Sequence, residues 1–184
     1  MKWVDHAVSH ARSRDASITE LEFPYEYRKG QKQMAACVYK AIEGERRLFV
    51  QAPTGIGKTM AAMFPSVKAF ATGLVSKIFY LTAKTIAGTV PDQALTLLRE
   101  RGVKFSSVML TAKEKICLNE TMECDAEHCP YAKGHFDRIN DALFELITQE
   151  KKMDREIIRA YAEKYQVCPF ELGLDASLFA DAII

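Results

Sequence analysis

No apolar run in this 184-residue chain approaches the roughly 18–20 residues needed to cross a bilayer. The longest candidate, Met60 to Val75, is broken by Pro65 and Lys68. The N-terminal stretch MKWVDHAVSHARSRD carries charges where a signal peptide needs an apolar core, so the expected location is cytoplasmic, with no membrane partner. An excess of one charge is also missing. Lys and Arg total 25 against 24 Asp and Glu, a formal net charge of +1, so any nucleic-acid binding must come from local patches. An even cysteine count is missing as well. Five cysteines without an export signal argue against a disulfide framework and turn attention to metal or redox chemistry.

What is present suits one folded domain, or one domain with an insertion: 48% apolar and 27% charged residues. The organising stretch is LFVQAPTGIGKTM, Leu48 to Met60. Leu48, Phe49 and Val50 read as a short buried strand that empties into a glycine loop, and Lys58 and Thr59 open a helix. That order is the phosphate-binding loop layout. Gly55 and Gly57 let the backbone of Pro53, Thr54, Gly55, Ile56 and Gly57 curl so that N–H groups point at phosphate oxygens. The helix N-terminus adds donors and partial positive charge. Lys58 would reach the β- and γ-phosphates of ATP, and the Thr59 hydroxyl would hold Mg²⁺. Ala52 stands where the full GxxxxGK[ST] pattern has its first Gly.

Residues 1–22 are polar and mixed in charge, a linker or part of an upstream helix. His6 and His10 stand four apart, a spacing that a solvated helix face explains without metal. Phe23 to Arg28 is aromatic and extended, because Pro24 disfavours helix at Phe23. A helix follows over Gln31 to Glu43, with Met34, Val38, Ala41 and Ile42 on its buried face and Gly44 as its stop. Gln31 heads it just upstream of the glycine loop, where an amide can donate to and accept from adenine. Cys37 reads as a small core residue. The helix after the loop runs to about Ala71, with Pro65 kinking or dividing it. Lys77 to Leu81 is a second strand, Asp92 to Arg101 a helix, and Phe105 to Leu110 a third strand. The class is therefore α/β with a parallel sheet, and ligands gather where such strands end. The second and third strands run into Thr82, Lys84 and Thr85, and into Lys113, where a nucleic-acid backbone could be held.

From Ile116 the pattern changes. Cys117, Cys124 and Cys129 fall in a polar loop, and Cys168 follows two helical stretches, a spacing of C-x6-C-x4-C-x38-C. Phe136, Ile139, Leu143 and Ile147 mark the first helix, and Ile157, Ile158, Tyr161 and Tyr165 the second. A hairpin of two helices would return Cys168 to the other three. Free cysteines favour buried positions, so three in a polar loop want a reason. Four converging thiolates can hold an Fe–S cluster or a tetrahedral zinc, with His128 and His135 as spare ligands for zinc. Spacing alone leaves iron against zinc open.

FPYEYRKGQKQM, then APTGIGKT, YLTAKT and a four-cysteine insertion ending in CPFEL resemble the XPD/DinG family of iron–sulfur helicases, bacterial DinG-type members most. The resemblance spans about Leu21 to Ile184, and Ala52 agrees with it, since superfamily-two helicases commonly have Ala there. It implies a partial RecA-like ATP-binding core over residues 23–115 and 169–184, with a helical Fe–S insertion over 116–168. It implies that Gln31 reads adenine and that Thr82 and Thr85 touch the DNA backbone. Cys117, Cys124, Cys129 and Cys168 would ligate a [4Fe–4S] cluster. The implied activity is ATP-dependent unwinding, 5′ to 3′ along single-stranded DNA, a chemistry suited to DNA repair. Ala180 to Ile184 reads as the start of another core strand, and no DEAH-type acidic motif occurs in the sequence. The expectation is thus an N-terminal fragment that lacks its acidic Mg²⁺ partner and second motor, with the remainder of the helicase chain as its partner, inactive alone. The alternative is a zinc-stabilised nucleic-acid-binding module whose glycine loop is regulatory or vestigial.

Overall fold

The structure is a computed structural model that describes residues 2–82 and 89–184. Two compact units divide the chain, one over residues 7–105 and the other over residues 106–184 together with residues 1–6.

The first unit is built on helices. α1 (Lys2–Thr19) contributes most of its length, and its single fully buried residue is Ile18. Lys68 closes its C-terminus from another element: Nζ donates to the carbonyls of Ile18, Thr19 and Leu21 at 2.9, 2.9 and 3.2 Å. These are the orphan acceptors a helix end leaves, at the negative pole of its dipole. α2 (Gln31–Glu43) follows and ends at Gly44, as its sequence predicts. α3 (Lys58–Ala71) is the apolar spine, burying Met60, Ala61, Met63, Val67, Ala69 and Phe70. It runs unbroken through Pro65, so the proline removes one donor without dividing the helix. Phe70 meets Phe105 edge-on at 4.9 Å. β1 (Ile78–Phe79) lies inside the expected second strand, and α4 (Thr89–Glu100) buries Leu95 and Leu98.

Two expectations fail in this unit. Leu48–Val50 is neither strand nor buried: the segment has no regular structure and Phe49 is 92% exposed. Leu48 and Val50 line a groove of about 570 Å³ with Met34, Val38 and Ile42. The three residues therefore keep a strand's alternation without a ladder. A strand exists only by pairing, and among the described residues none pairs with this one. Cys37 is the second failure. It is exposed on α2, because the helix buries the face carrying Gln31 and Ala35 instead.

The second unit carries a parallel sheet. β2 (Ser107–Val108) sits within the predicted third strand. α5 (Lys113–Ile116) and α6 (His135–Gln149) lead to β3 (Lys152–Met153). α7 (Arg155–Tyr165) and α8 (Pro169–Phe179) lead to β4 (Ala182–Ile183). β2 lies between β3 and β4 and is parallel to both, with Ser107 opposite Lys152 and Ala182. Val108, Leu146, Met153, Ile158, Leu172 and Ala176 form the heart of its core. A buried carboxylate fixes the strand starts. Asp181 Oδ2 accepts from Ser106 N–H and Oγ–H, both at 2.8 Å, and Asp181 N–H donates to Ser106 Oγ at 3.1 Å.

The two predicted helices after the cysteine loop are present, but not as a plain hairpin. β3 lies between them and joins the sheet, and Asp154 then caps α7 through Glu156 N–H and Ile157 N–H at 3.1 Å each. Phe136, expected on the buried face of α6, is 87% exposed. It occupies the first turn, ahead of the stripe formed by Ile139, Leu143, Leu146 and Ile147. The final strand forms as expected, at β4.

Candidate nucleotide site and cysteine loop

The glycine loop has the conformation its residues predict. Gly55 (φ +86°) and Gly57 (φ +79°) are both left-handed, a region that costs a side-chain-bearing residue about 1–2 kcal/mol. Gly57 is the N-cap of α3 and supplies no side-chain cap. Its carbonyl accepts the first intrahelical bond, from Ala61 N–H at 3.1 Å. The N–H groups of the first turn are thus left for a ligand, at the positive end of a fourteen-residue helix. Pro53, Thr54 and Gly55 are exposed, Ile56, Gly57 and Thr59 are half-buried, and Thr59 follows Lys58 into the helix.

Three side chains hold this loop by its carbonyls. Lys58 Nζ folds back onto Pro53 O at 2.9 Å and Ala52 O at 3.3 Å. Gln31 is only 3% exposed, which the sequence did not foretell. Its Nε2 donates to Gly57 O at 3.2 Å and its Oε1 accepts Arg28 N–H at 3.1 Å. A Cβ on Gly57 would collide with that same amide nitrogen. Gly57 is therefore required twice, by its backbone angle and by the approach of Gln31. Arg28 donates from its guanidinium to Gly55 O. Sequence reasoning missed Arg28, which is not helical and is set beside Gln31 by a turn in which Gln31 N–H donates to Arg28 O at 3.0 Å.

The expected DNA contacts fare unevenly. Thr82 is exposed just past β1. Lys84 and Thr85 lie outside the described residues. Lys113 begins α5, with Nζ 5.4 Å from the centre of the Phe170 ring. A hydrogen bond with the Cys124 sulfur raises its pKa above the ordinary lysine value, and the Cys168 side chain acts on it in the same direction.

All five cysteines are free thiols. Cys117 ends α5, its N–H donating to Lys113 O at 3.0 Å, and Cys168 is the N-cap of α8. Cys124 is exposed, and Cys129 is buried. Asn119 Nδ2 donates to His128 O at 3.2 Å, which folds the loop so that the residues beside Cys117 and Cys129 meet. His128 Nδ1 lies 2.8 and 2.9 Å from the two Asp125 carboxylate oxygens. His135 is buried, its Nδ1 accepting Cys168 N–H at 3.2 Å. Burial pushes its pKa down, which keeps that nitrogen an acceptor. Burial likewise pushes the Cys168 thiol up.

Four reduced cysteines at the two ends of one segment are the right donor chemistry for a cluster or for zinc. Yet among the described residues no three His, Cys, Asp or Glu groups converge as a ligand set. The expected corner-by-corner arrangement of Cys117, Cys124, Cys129 and Cys168 is not formed. Without an ion nothing attracts the four sulfurs to one point.

Residues 28–154 match the DEAD/DEAH box helicase family. A probable ATP-dependent helicase of Methanocaldococcus jannaschii is 43% identical over 47 residues, a stretch covering 25% of this chain and 7% of that protein. Among the described residues no helix is long and apolar enough to cross a membrane.

Proposed function

Because this chain belongs to the DEAD/DEAH box helicase family, we propose that it is the ATP-binding portion of a DNA helicase. The observation that carries this is the glycine loop: two left-handed glycines, a free helix N-terminus, and Gln31 anchored to Gly57 O. Phosphate binds the loop N–H groups and Lys58, which must swing off Pro53 O and Ala52 O to reach it. Thr59 holds Mg²⁺, and Gln31 and Arg28 keep the loop in register for the base.

The nucleic acid is single-stranded DNA, tracked 5′ to 3′, with Thr82, Lys84 and Thr85 on its backbone. This rests on the resemblance to iron–sulfur helicases. Lys113, at the start of α5, adds a cation to that backbone contact. Cys117, Cys124, Cys129 and Cys168 would hold a [4Fe–4S] cluster, and their four thiolates would then tie the loop to the start of α8. The donor chemistry of four reduced cysteines, placed at the two ends of one segment, supports that reading.

The chain as it stands binds ATP without turning it over. Its sequence contains no Asp-Glu-Ala-His motif to position Mg²⁺ and water. An arginine finger, supplied elsewhere in such motors, is worth about 10³–10⁵ in rate. The test is a fluorescent-nucleotide titration beside a phosphate-release assay, with and without single-stranded DNA. Binding that Lys58→Ala abolishes, with turnover at background in both proteins, is expected. DNA-stimulated turnover that disappears in Lys58→Ala would mean the site is catalytically complete and this reading is wrong.

A further inference from the structure

The first unit holds a second cavity, between α2 and α3, that the nucleotide site does not use. It encloses about 530 Å³, inside the range of about 300–1,000 Å³ common for ligand sites. Tyr39, Phe64 and Pro65 line it, with Tyr27 at one end. Phe23 stacks on Tyr27 at 4.0 Å and meets Phe64 edge-on at 5.2 Å, so the ring wall is braced from behind. The Tyr39 and Thr72 hydroxyls, 3.3 Å apart, join α2 to α3 across it.

Its charge has one sign. Lys32 and Lys40 line it from α2, and both are exposed. Lys68 also borders it, but its ammonium is committed to the carbonyls at the end of α1. Among the described residues, none of those lining the cavity is acidic. An occupant should therefore offer a flat ring to the aromatic wall and negative charge to the rim.

Spacing narrows the class. Lys32 and Lys40 are eight residues apart on one helix, about 12 Å along its axis. Two lysines rooted that far apart can reach successive phosphates along an extended strand, whereas the single phosphate of a free nucleotide can hardly meet both. A cationic track with ring platforms is how single strands are bound without regard to sequence. We propose that this cavity takes a base of single-stranded nucleic acid, with Lys32 and Lys40 on the flanking phosphates, as a contact separate from the glycine loop. The inference rests on the nucleic-acid reading above and adds a place for the strand to that reading.

The test is fluorescence anisotropy with a labelled 15-residue oligo-dT, over a salt series, with folding of each variant checked by circular dichroism. Lys40→Gln should weaken binding and lower the salt slope by about 0.7, the share of one single-strand phosphate, and Lys32→Gln with Lys40→Gln by about twice that. Tyr39→Leu should weaken binding by about fivefold or more with the slope unchanged, as expected for a lost stacking platform. Lys40→Arg should bind as the unmodified chain does, and fluorescent ATP should bind all of these variants equally. If Lys40→Gln and Tyr39→Leu bind oligo-dT like the unmodified chain, the cavity is rejected while the DNA reading stands. If the unmodified chain holds ATP but no oligo-dT, the DNA reading falls and takes the cavity with it. If Lys58→Ala still takes up nucleotide and Tyr39→Leu abolishes that uptake, the cavity is a small-molecule site and the proposal is overturned.

Discussion

The glycine loop and the cysteine loop both depend on residues brought together from a distance, yet one is assembled and the other is not. Arg28 and Gln31 reach across more than twenty residues to Gly55 O and Gly57 O, and the loop they hold already has both its glycines left-handed. Cys117, Cys124, Cys129 and Cys168 lie at the ends of a segment about twice as long, and among the described residues no three of them form a ligand set with each other or with His, Asp or Glu. The difference lies in the chemistry of the groups. A phosphate site built of backbone N–H donors is shaped by dihedral angles and hydrogen bonds that exist without ligand. A tetrathiolate site has no internal attraction until a metal supplies one, and its binding energy is then folding energy.

The sharpest way to break this contrast is to load the cysteine loop. Anaerobic treatment with iron and sulfide should give a brown protein with a markedly higher melting temperature. Structural metal sites can supply about 10–16 kcal/mol, so even a fraction of that exceeds any single hydrogen bond here. Cys168→Ser should lose both colour and stabilisation, and Cys37→Ser should lose neither. Uptake of zinc alone, with no iron retained, would favour the zinc-stabilised module instead.

Next in size is Asp181→Ala. It removes the acceptor of two bonds from Ser106 at the start of β2 and β4 and should cost about 2–4 kcal/mol. Denaturant melts read by a probe in residues 106–184 would show it. A loss below half a kcal/mol would mean the sheet is not pinned there.

Gly57→Ala tests how far the glycine loop is preformed. The left-handed backbone contributes about 1–2 kcal/mol of strain and the new methyl meets Gln31, so nucleotide affinity should fall tenfold or more. Combining it with Gln31→Ala should recover part of the loss by removing the collision. No recovery would locate the whole effect in the backbone. The smallest effect expected is that of Arg28→Ala, because its bond to Gly55 O is exposed. A loss of about threefold in nucleotide affinity is the scale of one such contact, and an unchanged affinity would remove Arg28 from the site.

The sequence carried the local part of this protein. A glycine at positive φ, a proline-broken aromatic entry and a 3.6-residue stripe are each decided by a few neighbouring residues. Gly55, Gly57 and the α6 core accordingly stand where their neighbours place them. The partner of each element was not legible. Leu48–Val50 has a strand's composition, but pairing is a long-range event, and composition says nothing of what lies alongside. Lys152–Met153 is too short to carry a pattern, yet it becomes a strand because Ser107–Val108 offers it a ladder. The sequence places Gln31 where its amide can meet adenine, and only packing against Gly57 makes it a buried brace. Helix and turn follow from nearby atoms, whereas pairing and burial depend on residues far along the chain, whose positions the fold alone decides.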